Sequence, residues 1–123
     1  MSESLSAKRC RFTREIALLI QYANAIPGYA VAVDQVKRTQ AEADANAASG
    51  AGIRNSLHLL GLAADLLIYT QGRYRPDMEP YRILGSYWRS RSPDHAWGGD
   101  FKDKAGNPKP DPGHFSIIHD GVK

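Results

Sequence analysis

His58 and Asp65, seven residues apart, and Asp111 and His114, three apart in Asp-Pro-Gly-His, are the residues whose types and spacing can do chemistry in this chain. Two imidazoles and one carboxylate suit a single zinc ion, and a second carboxylate beside it can move protons. Such a set activates water for hydrolysis.

Spacing tests this reading. Pro112 and Gly113 occupy the central positions preferred in a type II turn, which holds the ends of the segment within about 7 Å and makes Asp111 and His114 neighbours. On one helix, His58 and Asp65 would share a face but lie roughly 10 Å apart along the axis, a poor reach for ligands of one ion. A bend at Gly61 followed by a buried strand over Leu62 to Tyr69 is the better reading, with Ala63, Asp65, Leu67 and Tyr69 on one face. A lone aspartate in that apolar run is costly unless it is paired or binds a metal. Plainer roles remain open on spacing alone: the aspartate as a turn cap or an arginine partner, the histidine as a hydrogen-bonded structural residue.

The elements that must position these residues fit one domain of 123 residues. Thr13 can cap a helix to about Ala25, with Ile16, Leu19, Ile20 and Ala23 as its apolar stripe and Pro27-Gly28 ending it. Tyr29 to Val33 reads as a short strand, and Gln40 to Gly52 as a surface connection. A turn at Gln71-Gly72 leads to a helix between about Met78 and Arg89, with Arg82, Arg89 and Arg91 on a solvated face. Ser92 to Pro112 holds four prolines and three glycines, so it reads as a long functional loop around Trp97-Gly98-Gly99-Asp100-Phe101. His114 to Ile118 forms a last strand. The fold class is α+β: a small antiparallel sheet flanked by helices, with the zinc site at the sheet face.

A formal charge of +3 and a pI near 9.1 favour anionic surroundings without choosing among them. The single cysteine, Cys10, excludes an internal disulfide and reads as a free thiol near a frayed terminus. No signal peptide and no membrane span is apparent, so the expectation is synthesis in the cytoplasm and no stable membrane insertion. The arginines form no stripe and no aromatic stacking motif accompanies them, which argues against nucleic acid as a partner. His95 and His119 read as surface residues, with a second metal role only if they fold toward the cleft.

Ser56 to Asp65, read as S-x-H-x-x-G-x-A-x-D, resembles the first zinc motif of the D-alanyl-D-alanine peptidase family, which includes phage L-alanyl-D-glutamate endopeptidases. Asp111-Pro112-Gly113-His114-Phe115 resembles its second motif. Trp97 to Phe101 looks like the W-G-G-D-aromatic segment of the endolysin-like subgroup. The resemblance spans roughly Val31 to Ile118 and implies a single zinc peptidase catalytic domain over residues 1–123. By that resemblance His58, Asp65 and His114 are zinc ligands, and Asp111 is the general base. Arg38, in Lys37-Arg38-Thr39, sits where the family has an arginine that binds substrate or steadies the oxyanion, although the lead-in Val33-Asp34-Gln35-Val36 departs from the family pattern. Ser56 would support the site by hydrogen bonding, and Trp97 and Asp100 would shape the cleft.

The implied substrate is the stem peptide of peptidoglycan, cut between L-alanine and D-glutamate by a monomeric endolysin. The implied route is from the host cytoplasm to the periplasmic wall through a holin-type lesion. The same four residues serve a D-alanyl-D-alanine carboxypeptidase or dipeptidase equally well. A non-enzymatic zinc-containing binding domain is a third reading, against which the intact Asp111 argues.

Overall fold

The computed structural model describes residues 3–35 and 57–123. Arg38, Ser56 and the connection expected from Gln40 to Gly52 lie outside the described residues.

The apolar run after Gly61 forms strand β2, Ala63–Thr70, the centre of the sheet. One edge of β2 pairs antiparallel with β1, Tyr29–Gln35, from Tyr29 opposite Thr70 to Gln35 opposite Asp65, with a bulge between Val33 and Gln35. The other edge is shared. Its start pairs with β5, His114–Ile117, and its end with β3, Arg73–Arg75. Strand β4, His95–Trp97, completes the order β1-β2-β5-β4, antiparallel to β5. Between β2 and β3, Gln71 and Gly72 have φ of +52° and +77°, the two left-handed residues of a tight hairpin turn.

Period-two alternation divides the sheet chemically. Ala64, Leu66, Ile68, Phe115 and Ile117 face the helices and are buried. Asp65 and His114, paired across β2 and β5, take the opposite face together with Ala63 and Ser116. Helix α1, Leu5–Ala25, contributes Phe12, Leu19 and Ala23 to the core. The short helix α2, Leu57–Leu60, precedes β2. A 3-10 turn over Glu79–Tyr81 runs into α3, Arg82–Arg91, which buries Leu84 and Trp88. Trp88 is the keystone of this layer: Phe12 and Phe115 meet its ring edge-on at 6.0 Å, and its indole N–H donates to the Ser116 carbonyl at 3.1 Å.

Several expectations are corrected. Helix α1 begins at Leu5, capped by the Ser4 hydroxyl accepting from the Ala7 N–H, whereas Thr13 lies inside the helix and donates to the Arg9 carbonyl. The polar first turns are helical because their basic side chains have distant partners. Arg9 donates to the Leu60 carbonyl, and Arg11 bridges Glu3 and Asp94. Cys10 therefore sits exposed on a helix rather than at a frayed end. The stretch Ser92 to Pro112 is not a structureless loop, since it contains β4 and a 3-10 turn over Gly98–Asp100. All four of its prolines fall outside β4, so the His95-Ala96-Trp97 backbone is free to pair.

His95 is not a surface residue. It is 6% exposed on the helix-covered face, stacked on Trp88 at 4.0 Å, with Nδ1 2.8 Å from the Trp88 carbonyl. Burial lowers its pKa, partly offset by that carbonyl. His119 is half-buried, its Nδ1 accepting from Lys8 Nζ at 3.2 Å. The basic face of α3 is solvated as expected, and Arg82, Arg89 and Arg91 pair there with Glu79, Asp100 and Glu15.

Candidate metal centre

His58 reaches Asp65 because helix α2 ends abruptly. The Leu62 N–H donates to the Leu57 carbonyl at 2.9 Å, and the Gly61 N–H to the His58 carbonyl at 3.2 Å. This pair of bonds, with Gly61 at φ +74°, is a Schellman closure, which reverses the chain within one residue and lays β2 back beside His58. The single-helix arrangement that would have separated the two side chains is thereby avoided.

His114 arrives from the opposite direction. It is the first residue of β5 and the cross-strand partner of Asp65. The turn before it keeps the expected bond, with the His114 N–H donating to the Asp111 carbonyl at 3.1 Å. Its type differs from the expectation, because Gly113 is not among the positive-φ glycines that a type II turn requires. Glycine is needed here for a different reason. The Gly113 carbonyl accepts from the Leu66 N–H at 2.8 Å, and a Cβ at Gly113 would stand 2.5 Å from the Leu66 oxygen.

The outcome is a converging donor set. One ligand atom each from His58, Asp65 and His114 lies within 4.8 Å of the others, and this is the only such group of three among the described residues. His58 Nε2 is 3.3 Å from Asp65 Oδ2, and His114 Nδ1 is 3.4 Å from Asp65 Oδ1. The two imidazoles are 4% and 7% exposed, with ring planes 74° apart. Asp65 Oδ1 and His114 Nε2 are buried without hydrogen-bond partners, which is costly for polar atoms unless something else satisfies them. Burial pushes the Asp65 carboxyl up, but the facing imidazoles of His114 and His58 outweigh it and hold the carboxyl well below the usual range. Two nitrogens and one ionised oxygen, close-set and partly unsatisfied, are a donor set that fits zinc.

Asp111 is placed beside this set and is not part of it. It sits at the exposed rim, with its N–H donating to the Gly98 carbonyl at 2.8 Å. Its carboxyl is shifted up by the protein crowded around it and by repulsion from Asp65, opposed by His114 and His58. Gly98 makes this approach possible, since a Cβ there would fall on the Asp111 carbonyl oxygen and against His114 Cβ.

Trp97 is buried and donates from its indole nitrogen to the Pro112 carbonyl at 2.7 Å, so it holds the Asp111-Pro112 segment from behind. Asp100 binds Arg89 through both oxygens at 3.0 Å, and that guanidinium lies 5.2 Å above the Trp97 ring. Sequence reasoning passed over two neighbours. Phe101 packs on the His114 ring at 5.1 Å, and Arg89 clamps the Trp97 to Asp100 segment onto α3. The first was visible as the aromatic ending the Trp-Gly-Gly-Asp segment. The second had no local signal.

No protein-family model and no curated protein matches this sequence. Among solved structures, the chain is similar to the L-Ala D-Glu endopeptidase ChiX of Serratia marcescens, with a TM-score of 0.67 and 21% identity, covering 88% of this chain and 78% of that one. It is also similar to a mutant of the vancomycin-resistance D,D-pentapeptidase VanY from the VanB-type resistance cassette, in complex with Zn(II), with a TM-score of 0.55 and 22% identity, covering 89% of this chain and 71% of that one. The resemblance carried by the three sequence motifs is thus matched at the level of the fold, which this chain shares with an endopeptidase and a D,D-peptidase of the kind expected.

Proposed function

We propose that this protein is a zinc-dependent peptidoglycan peptidase that hydrolyses the L-alanyl-D-glutamate bond of the stem peptide. The observation that carries the reading is the convergence of His58, Asp65 and His114 within 4.8 Å, with Asp111 held beside them. Both similar structures are of peptidases, one of them holding Zn(II), and the higher TM-score belongs to the L-Ala D-Glu endopeptidase.

In this reading His58, Asp65 and His114 hold the ion. An ion held there would supply Lewis acidity and lower the pKa of a bound water toward neutral pH. The two imidazoles bind as neutral donors and Asp65 is the single anionic one, so the centre keeps a net positive charge. Asp111 takes the proton of the attacking water on its carboxylate and returns it to the departing amine. Trp97 and Gly98 keep Asp111 at that position through the Pro112 and Asp111 backbone. Arg38 steadies the developing oxyanion and Ser56 supports the site by hydrogen bonding. Both roles rest on their motif positions.

Mass spectrometry of purified Gram-negative peptidoglycan treated with the zinc-loaded protein tests the proposal. Stem peptides beginning at D-glutamate are expected, and none with Asp111→Ala. Release of D-alanine alone would assign the activity of a D-alanyl-D-alanine carboxypeptidase, which the VanY likeness favours as the second reading. The further reading as a phage endolysin, acting on the periplasmic wall after holin-type release, rests on the Trp97 to Phe101 segment. Lysis of cells only on co-expression with a holin would support it.

A further inference from the structure

We propose that Arg89 of α3 is a positioning residue for Asp111, acting through the Trp97 indole, which it holds against Gly85. The inference rests on the peptidase reading above, in which Asp111 carries the proton.

Gly85 lies inside the ten-residue helix α3, where only proline is a poorer helix former. It is not among the glycines of positive φ, so backbone freedom does not account for it. Space does. A Cβ at Gly85 would fall on Cδ2, Cε2 and Cε3 of Trp97, so the indole lies directly on the α3 backbone. Gly99 makes room for the far edge of the same ring, since a Cβ there would fall on Cζ2 and Cη2. Arg89 closes this seat. Its Nε donates to the Gly85 carbonyl at 3.2 Å, one terminal nitrogen donates to both Asp100 oxygens at 3.0 Å, and the guanidinium lies 5.2 Å from the Trp97 ring centroid. A cation at that distance is attracted to an indole face.

The seated ring reaches the site through its nitrogen. Trp97 Nε1 donates to the carbonyl of Pro112, the residue after Asp111, at 2.7 Å, and the carbonyl of Gly98, the residue after Trp97, accepts from the Asp111 N–H at 2.8 Å. Residues 97 and 98 thus fix the backbone on both sides of the Asp111 Cα, and where its carboxylate stands follows where the indole sits. Arg82 and Arg91 share the surface of α3, but they pair with Glu79 and Glu15, outside the Trp97 to Asp100 segment. The Arg89 and Asp100 side chains are 43% and 49% exposed, so their pairing adds little to stability. Its loss should be felt in where Trp97 sits rather than in whether the protein folds.

Hydrogen exchange at the two indole N–H groups, followed by NMR in the zinc-loaded protein, tests the seat without requiring turnover. Arg89→Ala should speed exchange at Trp97 about tenfold and leave Trp88, bonded to the Ser116 carbonyl, unchanged. Kinetics on a soluble stem peptide tests the positioning. Arg89→Ala and Trp97→Phe should each lower kcat roughly ten- to a hundredfold, the scale set by a misplacement of about 1 Å, with KM and zinc content near wild type. Arg82→Ala removes the same charge from α3 and should match wild type. Because Arg89 acts through the indole, the double variant should be no slower than Trp97→Phe alone, whereas independent effects would multiply. Multiplied losses overturn the proposal, as does an equal loss in Arg82→Ala or an unchanged exchange rate at Trp97 in Arg89→Ala. A wild-type protein without turnover would instead overturn the peptidase reading, and the positioning role with it, while the exchange result would still decide the seat.

Discussion

Asp65 and Asp111 are carboxylates of one site whose surroundings push them in opposite directions. Burial raises Asp65, but the two imidazoles facing it hold it ionised, whereas Asp111, at the rim, is shifted up by the protein crowded around it and by Asp65, against the pull of the same imidazoles. On the proposed function, one would serve as a ligand and the other as a proton carrier. Replacing Asp111 with Ala is therefore expected to lower kcat by roughly 10²–10⁴, the usual weight of general acid-base catalysis, while zinc content measured on the purified protein stays at the wild-type level. Asp65→Ala is expected to lose the zinc itself. Equal zinc loss in both variants would place Asp111 among the ligands. These four residues were legible in the sequence because a turn fixes Asp111 against His114 and Gly61 permits the bend after His58. What spacing could not show is how tightly glycine is required. Gly98 and Gly113 are there because carbonyl oxygens of Asp111 and Leu66 pass where a Cβ would be.

At the scale of elements, the site depends on two joints. The first is the Schellman closure of α2, where Gly61 at φ +74° has room for a side chain but not the backbone conformation an L-residue prefers. Gly61→Ala should cost about 1–2 kcal/mol in urea unfolding and weaken zinc binding, because the strain falls between two ligands. A variant of wild-type stability would show that the closure is not needed. The second joint ties α1 to the start of β4 through Arg11 and Asp94. Burial raises the Asp94 carboxyl, but the Arg11 guanidinium and the Ser92 hydroxyl outweigh it and hold it at about 2, against 3.8 ordinarily. A carboxyl depressed in the folded state stabilises fully above its unfolded value and loses that contribution as pH falls through the folded one. The pair is partly exposed, so Asp94→Asn should cost only ~1 kcal/mol at neutral pH, and its stability should fall less than that of wild type between about pH 4 and about 2. Helix α1 could be read from its apolar stripe and β2 from its apolar run, yet β3 and β4 could not. Each is three residues long, β3 is Arg-Tyr-Arg with no apolar alternation, and β4 lies between Pro93 and the Gly98-Gly99 pair. Such strands exist because β2 and β5 offer them free edges, and no local pattern records that. His95 was misread for the same reason, since only the β4 pairing turns it toward Trp88.

Across the whole molecule, the donor set gathers α2, β2 and β5, three elements spread from residue 57 to residue 117, at the sheet face opposite the main core. Among the described residues, that face has no large apolar cluster at Asp65 and His114 to hold the elements together. Instead it has two close nitrogen-oxygen contacts of 3.3 and 3.4 Å and buried polar atoms without partners. An ion bound by all three ligands joins elements that are far apart in sequence, and it does so only in the folded state. Ligand binding then adds directly to folding stability: about 2.7 kcal/mol when free zinc is 100-fold above its dissociation constant. For a domain of this length that corresponds to a rise of about 10 °C in the thermal midpoint. The protein stripped by a chelator should still show the helical signal of α1 and α3, whose core lies on the other face, and should regain the higher midpoint on addition of zinc. His114→Ala should abolish the zinc-dependent rise without abolishing the fold. If the midpoint is the same with zinc and with chelator, the convergence of these side chains is a structural hydrogen-bond cluster, and the peptidase reading loses its foundation.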